Sequence, residues 1–364
     1  MIVNGKHYTS IWRNEKKQVF IIDQRILPHE FKIVELKKLN DFCIAIKDML
    51  VRGAPLIGVT AAYGVAVSLL SGHKKNDLEM ICSNLLETRP TAVNLFWALE
   101  EMKKALLSVN DDDILEQAFK KADEIFERDI ISNKKIGENG LNIIQEILKK
   151  KKSNKINILT HCNAGWLATV DWGTATSPIY HAKKKGIDVH VFVDETRPRN
   201  QGAQLTAWEL SHNNINHDLI VDNAGGHLMQ HGEIDMVLVG SDRTTSTGDV
   251  CNKIGTYLKA LSAKDNNIPF YVALPNSTID WNLKNGLTEI PIEERSHEEV
   301  SYVQGLLEGN KIEKVNISLA GTSCRNPAFD VTPSRLIDGL ITEHGVYSAN
   351  KDSLQKLCKI KSKA

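Results

Sequence analysis

The sequence predicts an α/β protein in which a small mixed N-terminal domain precedes a Rossmann-like domain with a parallel sheet. Up to residue 150 the pattern gives short strands and then long helices, whereas from residue 151 apolar strands alternate with helices. Such alternation is typical of βαβ units, which bury a parallel sheet on both faces. We therefore place the domains at 1–150 and 151–364. The lysine-rich run 149–155 between them is typical of a solvated helix end and linker.

The N-terminal domain is predicted to contain three short strands followed by five helices. The strands are expected at 8–12, 18–23 and 31–35, where residues alternate or are β-branched. The helices are expected at 39–50, 55–70, 77–87, 92–107 and 112–152, the last being long enough to break near 130–133. The apolar stretch 55–70 carries glycine, threonine and serine and is too short to span a bilayer, so it indicates a buried helix.

The second domain is predicted to place its chemistry at one edge of the sheet. Strands are expected at 156–160, 189–193, 218–221, 236–239 and 269–274, and helices at 178–185, 202–211, 224–230 and 252–263. Binding sites in open parallel sheets lie just outside the carboxyl ends of the strands. Five polar loops follow these strands, and five on one edge are better explained by a binding site than by turn chemistry alone.

Composition excludes several classes of function. The 364 residues have a formal net charge of +0, so the chain lacks the excess positive charge that is typical of nucleic-acid-binding proteins. The first eight residues have no apolar core, which argues against a signal peptide, and no segment suits a membrane. The six cysteines are scattered and form no C-x-x-C pair, which indicates a reducing, cytoplasmic setting.

The sequence predicts neither an organic cofactor nor a metal. The glycine-rich signatures of dinucleotide and nucleoside-triphosphate sites are missing, as is H-E-x-x-H. His227 and His231 are four residues apart on a predicted helix, but no third ligand accompanies them. Two histidines on a helix surface are therefore the better interpretation.

Two strand-end loops carry residues suited to acid/base chemistry. Cys162 stands in a glycine-bounded loop after the first strand of the second domain, and Asp242 follows a later strand. A lone cysteine is most often buried packing, and an aspartate can simply cap the next segment. Delivered to one edge of one sheet, however, a thiol and a carboxyl group make an acid/base pair.

Three basic residues near predicted helix starts suggest a small phosphorylated ligand. Arg52 precedes an apolar helix with proline in its first turn, and Arg89 repeats the pattern before the next helix. Lys253 stands at the start of the predicted helix 252–263. Free backbone N–H groups, the helix dipole and a cation together favour phosphate.

At these positions the sequence resembles the S-methyl-5-thioribose-1-phosphate isomerases of methionine salvage, which convert an aldose 1-phosphate to the ketose 1-phosphate. The resemblance runs from about Leu50 to Gly345 and is specific through its motifs in combination. The matching motifs are at 52–58, 89–94, 161–165, 194–198, 201–203, 248–250, 252–256 and 326–333. Mild departures are Trp166, Ser241 and Cys251, of which Trp166 bears on the shape of the pocket.

The resemblance implies a two-domain fold assembled as a homodimer, and it assigns roles to individual residues. Asp242 is implied to be the proton donor and Cys162 the group that stabilises the transition state. The implied substrate-binding residues are Arg52, Gly53, Ala54, Arg89, Gln201, Asn252 and Lys253. The implied partner is a small sugar phosphate, with no nucleic acid and no membrane.

The implied reaction needs an acid, because a sugar phosphorylated on its anomeric oxygen cannot open as free aldoses do. Asp242, kept protonated by a low-polarity site, can protonate the ring oxygen. Hydrogen then moves from C2 to C1 as a hydride, or Cys162 as thiolate removes a proton and an enol phosphate forms. Both routes stay open.

Two alternative functions also stay open. One is a related isomerase acting on 5-deoxyribose 1-phosphate or ribose 1,5-bisphosphate. The other is a catalytically silent module like the regulatory subunits of the same superfamily, which lack the cysteine–aspartate pair. The presence of both residues here favours an enzyme.

Overall fold

The computed structural model describes residues 1–89 and 92–361. Its N-terminal part contains small antiparallel sheets and five helices. The strands are β1 (Ile2–Val3), β2 (Lys6–His7), β3 (Ile11–Arg13), β4 (Val19–Ile22) and β5 (Ile33–Leu36). The helices are α1 (Leu39–Lys47), α2 (Ala54–Leu70), α3 (Leu78–Leu86), α4 (Val93–Leu107) and α5 (Ile114–Lys151). The predicted helices are confirmed, but the break near 130–133 is wrong. No proline interrupts that stretch, and α5 is continuous.

Helix α2 is the buried helix that the apolar stretch predicts. Every residue from Ala54 to Leu69 is buried, and a helix that is apolar all round belongs in a core. Gly53 precedes it with φ +94°, and a Cβ there would lie 2.5 Å from atoms of Ala168. Only glycine permits this close approach. The start of α2 is thereby held against the loop around residue 168, in the second part of the chain.

Beyond α5 the chain alternates strands and helices, as predicted. The strands are β6 (Lys155–Thr160), β7 (Asp188–Asp194), β8 (Asn216–Ile220), β9 (Met236–Val239), β10 (Arg243–Thr245), β11 (Val250–Lys253), β12 (Phe270–Ala273), β13 (Ile279–Asp280), β14 (Tyr302–Leu307), β15 (Lys311–Asn316), β16 (Phe329–Thr332), β17 (Gly339–Thr342) and β18 (Gly345–Tyr347). The helices are α6 (Thr176–Lys184), α7 (Ala207–His212), α8 (Ala224–Gln230), α9 (Thr256–Asp265), α10 (Gly286–Glu289), α11 (Glu298–Ser301) and α12 (Lys351–Lys361).

A seven-stranded sheet forms the centre of this part, in the order β18-β17-β12-β9-β6-β7-β8. All of its pairs are parallel except the edge pair β17–β18. From β6 the chain runs outward to β7 and β8, then returns to β9 on the other side of β6. Strand order therefore reverses between β6 and β9, and ligands of such sheets bind at this switch point. Cys162 follows β6 and Asp242 follows β9.

A smaller sheet, in the order β13-β10-β11-β16, carries the second half of the site. The prediction of a helix over 252–263 is wrong at its start. Asn252 and Lys253 end strand β11, where they pair with Asp330 and Phe329 of β16, and α9 begins at Thr256. Pairing with a strand distant in the sequence overrides local propensity here.

The apolar core does not stop at the predicted domain boundary. One cluster of buried side chains joins Val3, Ile22 and Leu27 to Ile158 and Trp166. The division near residue 150 therefore stays a prediction. No helix among the described residues has both the length and the apolar character needed to cross a membrane.

Candidate active site

The loop after β6 holds Cys162 in an unusual backbone conformation. Its φ is +65°, a left-handed value that is uncommon for residues other than glycine and is often found at functional sites. The Cys162 N–H donates to Thr196 Oγ1 at 2.8 Å, and its carbonyl accepts from Thr206 Oγ1 at 2.7 Å. The residue is 7% exposed. Two threonines from the β7 side of the sheet thus fix the cysteine.

The loop after β9 delivers Asp242 beside the cysteine loop. Its backbone N–H donates to the carbonyl oxygen of Cys251 at 3.0 Å, which begins the β10–β11 pairing. A Cβ at Gly240 would lie 2.6 Å from the Ala164 Cβ, so the two loops touch. The structure confirms the expectation from the sequence that Cys162 and Asp242 lie at the same edge of one sheet.

Burial and neighbouring charges shift the pKa values of several ionisable groups in this region. Burial raises the pKa of Asp242, and Lys253, Arg89 and Arg52 oppose that rise. Burial also raises the pKa of Cys162, against the effects of Arg52 and Lys253. The pKa of Lys253 is lowered by burial, while Cys162 and Asp242 raise it. These groups from distant parts of the chain therefore face one shared site.

Arg52 is tied directly to the cysteine loop. Its Nη1 donates to Asn163 Oδ1 and its Nη2 to the Asn163 carbonyl oxygen, both at 2.7 Å. Gly53 and Ala54 follow at the start of α2, with Pro55 in the first turn. The first N–H groups of a helix and an adjacent arginine form a site suited to an anion.

Arg89 reaches the same region from the end of α3. Its Nη2 lies 3.6 Å from Glu293 Oε2, and its side chain is 11% exposed. Burial lowers its pKa, which Glu293 and then Asp242 raise. Pro90 and Thr91 of the predicted motif lie outside the described residues. Arg89 Nε is buried with no hydrogen-bond partner among the described residues, and such an atom is suited to a ligand.

Lys253 and Asn252 are buried at the end of β11. The ammonium of Lys253 lies 4.7 Å from the centre of the Phe329 ring, a cation–π arrangement that holds it in place. Asn252 Nδ2 donates to Thr256 Oγ1 at 3.0 Å. These two residues are near the site as predicted, but a strand rather than a helix positions them.

Gln201 precedes a π-helical turn, Gly202–Thr206, that leads into α7. Such turns are frequent at functional sites. Gln201 is 5% exposed, and its Oε1 has no hydrogen-bond partner among the described residues. Together with Arg52 it lines a cavity of about 360 Å³ that also contacts Arg199 and Tyr302. The side-chain oxygen is therefore suited to bind a ligand hydroxyl.

The side chain of Trp166, three residues after Asn163 of the cysteine loop, is part of the core. Its indole is fully buried in the core, where it packs against Trp208 with ring centres 6.1 Å apart. Neither Trp166 nor Cys162 lines the cavity next to Arg52. The influence of Trp166 on the shape of the pocket around Cys162 therefore stays a prediction.

Sequence reasoning gave no role to two polar residues beneath the site. Asn163 binds Arg52, and the fully buried Glu209 of α7 binds Asn163 in turn. The only sequence signal for Glu209 is an acid beside Trp208 in an apolar stretch. That signal does not separate a buried carboxylate from an exposed one.

Next to the cysteine, His161, Asp194 and Asp222 bring three ligand atoms within 4.8 Å of one another, a spacing that a metal ion can use. Lys259 Nζ already lies 3.0 Å from Asp194 Oδ2 and donates to the Asp222 carbonyl oxygen. His161 Nδ1 is 2.9 Å from the same Asp194 oxygen. An ammonium group therefore already balances this carboxylate, as in a buried ion-pair network.

The comparisons with known proteins agree with this geometry. Residues 50–349 match the model of the Initiation factor 2 subunit family. A protein of Sinorhizobium medicae (strain WSM419) named methylthioribose-1-phosphate isomerase is 59% identical over 359 residues, covering 98% of this chain and 99% of that protein. The crystal structure of 5-methylthioribose 1-phosphate isomerase from Pyrococcus horikoshii OT3 is 40% identical with a TM-score of 0.84, covering 98% of this chain and 97% of that one.

A second solved structure is titled translation initiation factor eIF-2B, subunit delta, from A. fulgidus. It is 36% identical with a TM-score of 0.79, and the match covers 96% of this chain and all of that one. Family, fold and near full-length identity agree. The chain belongs to the Initiation factor 2 subunit family and, within it, to the methylthioribose-1-phosphate isomerases.

Proposed function

We propose that this chain is an aldose–ketose isomerase that converts S-methyl-5-thio-α-D-ribose 1-phosphate to S-methyl-5-thio-D-ribulose 1-phosphate in methionine salvage. The observation that carries the proposal is a thiol and a carboxyl group at the switch point between β6 and β9, within the electrostatic reach of three cations. A phosphorylated sugar needs both features: an acid for ring opening and cations for its phosphate.

Asp242 is the proposed acid. Burial raises its pKa, which keeps a larger fraction of the group protonated near neutral pH than an ordinary aspartate would be. Protonation of the ring oxygen opens the sugar and leaves cationic character at C1. The resulting carboxylate then accepts the proton of the C2 hydroxyl as hydrogen moves to C1.

Cys162 is proposed to pack against and polarise the reacting carbons. Burial raises the pKa of its thiol, with only partial compensation by Arg52 and Lys253. A neutral thiol is a poor base for a C–H proton. The raised pKa therefore supports direct hydride transfer from C2 to C1 over an enol route.

Arg52, Arg89 and Lys253 are proposed to bind the phosphate, together with the backbone at Gly53 and Ala54. Gln201 and Asn252 are proposed to orient the sugar hydroxyls. Gln201 Oε1 and Arg89 Nε, for which the described part of the chain offers no hydrogen-bond partner, support these roles.

The identity of the substrate is tested by measuring the kinetics of the purified chain with each of three sugar phosphates. These are methylthioribose 1-phosphate, 5-deoxyribose 1-phosphate and ribose 1,5-bisphosphate. We expect the highest kcat/KM for methylthioribose 1-phosphate. A higher value for either of the others would reassign the substrate within the same reaction class.

A silent regulatory module is the second candidate function, which the likeness to the A. fulgidus factor favours. Cys162 and Asp242 argue against it, because the resemblance associates loss of this pair with the regulatory subunits. Absence of turnover of all three sugar phosphates by the folded wild-type chain would support the module.

We also propose a homodimer in a reducing, cytoplasmic compartment. The assembly follows from the family resemblance, and sedimentation of the purified chain tests it. All six cysteines are unpaired, which supports the compartment.

A further inference from the structure

A buried carboxylate that the proposed chemistry does not use lies directly beneath the site. Glu209 is fully buried and accepts hydrogen bonds on both oxygens. The donors are Asn163 Nδ2 at 3.0 Å and Leu167 N at 2.8 Å to Oε1, and Trp166 N at 3.0 Å and Tyr180 OH at 3.3 Å to Oε2. A carboxylate with four donors around it is held in a single orientation.

The contacts of Asn163 fix which way its amide faces. Its Nδ2 donates to Glu209 Oε1 at 3.0 Å and to Thr206 Oγ1 at 3.1 Å. Thr206 donates its single hydroxyl proton to the Cys162 carbonyl, so toward Asn163 it can only accept. Both neighbours of Nδ2 are therefore acceptors. The amide oxygen must face the other way, where it accepts from Arg52 Nη1 at 2.7 Å.

We propose that Glu209 is a positioning residue for Arg52, acting through the amide of Asn163. With Glu209 ionised or not, its Oε1 is the acceptor that turns the Asn163 oxygen toward the guanidinium. The Asn163 carbonyl supplies a second acceptor, so the guanidinium is held by two parallel bonds. The inference rests on the proposed function in that Arg52 is taken to bind the phosphate.

Glu209 also has a structural role, which the test has to separate from positioning. Its oxygen would lie 1.8 Å from a Cβ at Gly165, so the loop is packed tightly against it. Burial raises the pKa of Glu209 to about 7, while Asn163 and the two backbone N–H groups lower it. A variant at this residue can therefore affect folding as well as binding.

The experiment is a double-mutant cycle with Asn163→Ala, Glu209→Gln and the double variant, measuring kcat, KM and Tm. Asn163→Ala leaves in place the backbone N–H bonds to Glu209 and the bond from Arg52 Nη2 to the Asn163 carbonyl. It removes the side-chain bonds of Asn163 to Arg52 Nη1, Glu209 and Thr206, and with them the link between Glu209 and Arg52. We expect it to raise KM about tenfold with kcat within about threefold, because a charged hydrogen bond that orients a binding group is lost. Glu209→Gln places an NH₂ group against one of the donors, and we expect KM to rise at least about fivefold.

The interaction between the two changes decides the proposal. In the Asn163→Ala background, Glu209→Gln should raise KM by less than about twofold, since its effect passes through Asn163. Fully multiplicative effects on KM, or a lower Tm with KM unchanged, would overturn the inference.

Asp129→Asn is the matched control for loss of a desolvated carboxylate. Burial raises the pKa of Asp129 to about 7 as well, and its Oδ2 accepts from the Val170 N–H at 2.7 Å. This variant should lower Tm without changing KM. The Kd of inorganic phosphate, measured calorimetrically over the same cycle, separates the two proposals. Wild type that fails to isomerise the sugar contradicts the proposed function, whereas the phosphate cycle still tests the coupling of Glu209 to Arg52.

Discussion

Replacing Asp242 with asparagine removes the acidic proton that the proposed reaction requires and changes little else in the site. The side chain keeps its size, and the backbone bond to the Cys251 carbonyl is unaffected because the Asp242 N–H makes it. The phosphate cations Arg52 and Lys253 are unchanged. We therefore expect substrate Kd within about threefold of wild type, with the loss confined to kcat.

The magnitude follows from the role of a positioned acid. General acid–base catalysis contributes about 10²–10⁴-fold, and here the same group both opens the ring and accepts the hydroxyl proton. A fall in kcat of about 10³-fold corresponds to roughly 4 kcal/mol of transition-state stabilisation. Steady-state kinetics give kcat, and calorimetry with the inactive variant gives Kd.

A matched control exists in the same small sheet. Asp280 ends β13 and lies 3.9 Å from Arg243 Nε, so Asp280→Asn makes the same chemical change outside the proposed site. We expect its kcat within about twofold of wild type, as for most substitutions that touch no reacting group. A kcat for Asp242→Asn comparable to that of this control would refute the assignment of the acid.

The remaining predictions concern the phosphate, the pH dependence and the hydrogen transfer. Arg52→Ala should raise KM at least tenfold, since charge-assisted bonds contribute about 1.5–3 kcal/mol each; an unchanged KM would remove Arg52 from the phosphate site. The kcat should fall as pH rises through the pKa of Asp242, because the acid form is required. Since burial raises this pKa, the fall should occur at a higher pH than for an ordinary aspartate, whose pKa is near 4. A kcat that increases across that range would contradict the role. Turnover in deuterated water should leave C1 of the product without deuterium by NMR, and substantial incorporation would establish an enol intermediate with Cys162 as base.

The ends of the strands in the parallel sheet can be predicted from the sequence. Apolar runs bounded by polar loops locate β6 and β9, and the geometry of parallel sheets places Cys162 and Asp242 at one edge. The amino-acid sequence is enough to pair these two residues because their position depends on hydrophobic periodicity.

Contacts between distant segments explain what the sequence could not reveal. Asn252 and Lys253 look like a helix start, but pairing with β16, far later in the chain, makes them a strand. Glu209 looks like any helical glutamate until the loop at 163–167 folds over it. A buried acid is identified by its donors, and these come from another element of the chain.

The continuity of α5 has a similar origin. Gly137 and Gly140 weaken a helix locally, yet a Cβ at either position would collide with α6, at 2.2 Å from Ser177 Oγ and 2.4 Å from Pro178 Cγ respectively. These glycines permit close helix packing rather than a break. Tertiary packing thus stabilises a helix that local propensity alone leaves uncertain.

The most direct test of the proposed chemistry follows methylthioribose 1-phosphate by ³¹P and ¹H NMR in the presence of the purified wild-type chain, Cys162→Ser and Asp242→Asn. We predict that wild type forms the ketose 1-phosphate, and that both variants, with Tm near that of wild type, form it at least about a hundredfold more slowly. Unchanged turnover in either variant, or an unaltered aldose signal with folded wild type, would contradict the claim that this thiol and this carboxyl group isomerise a phosphorylated sugar.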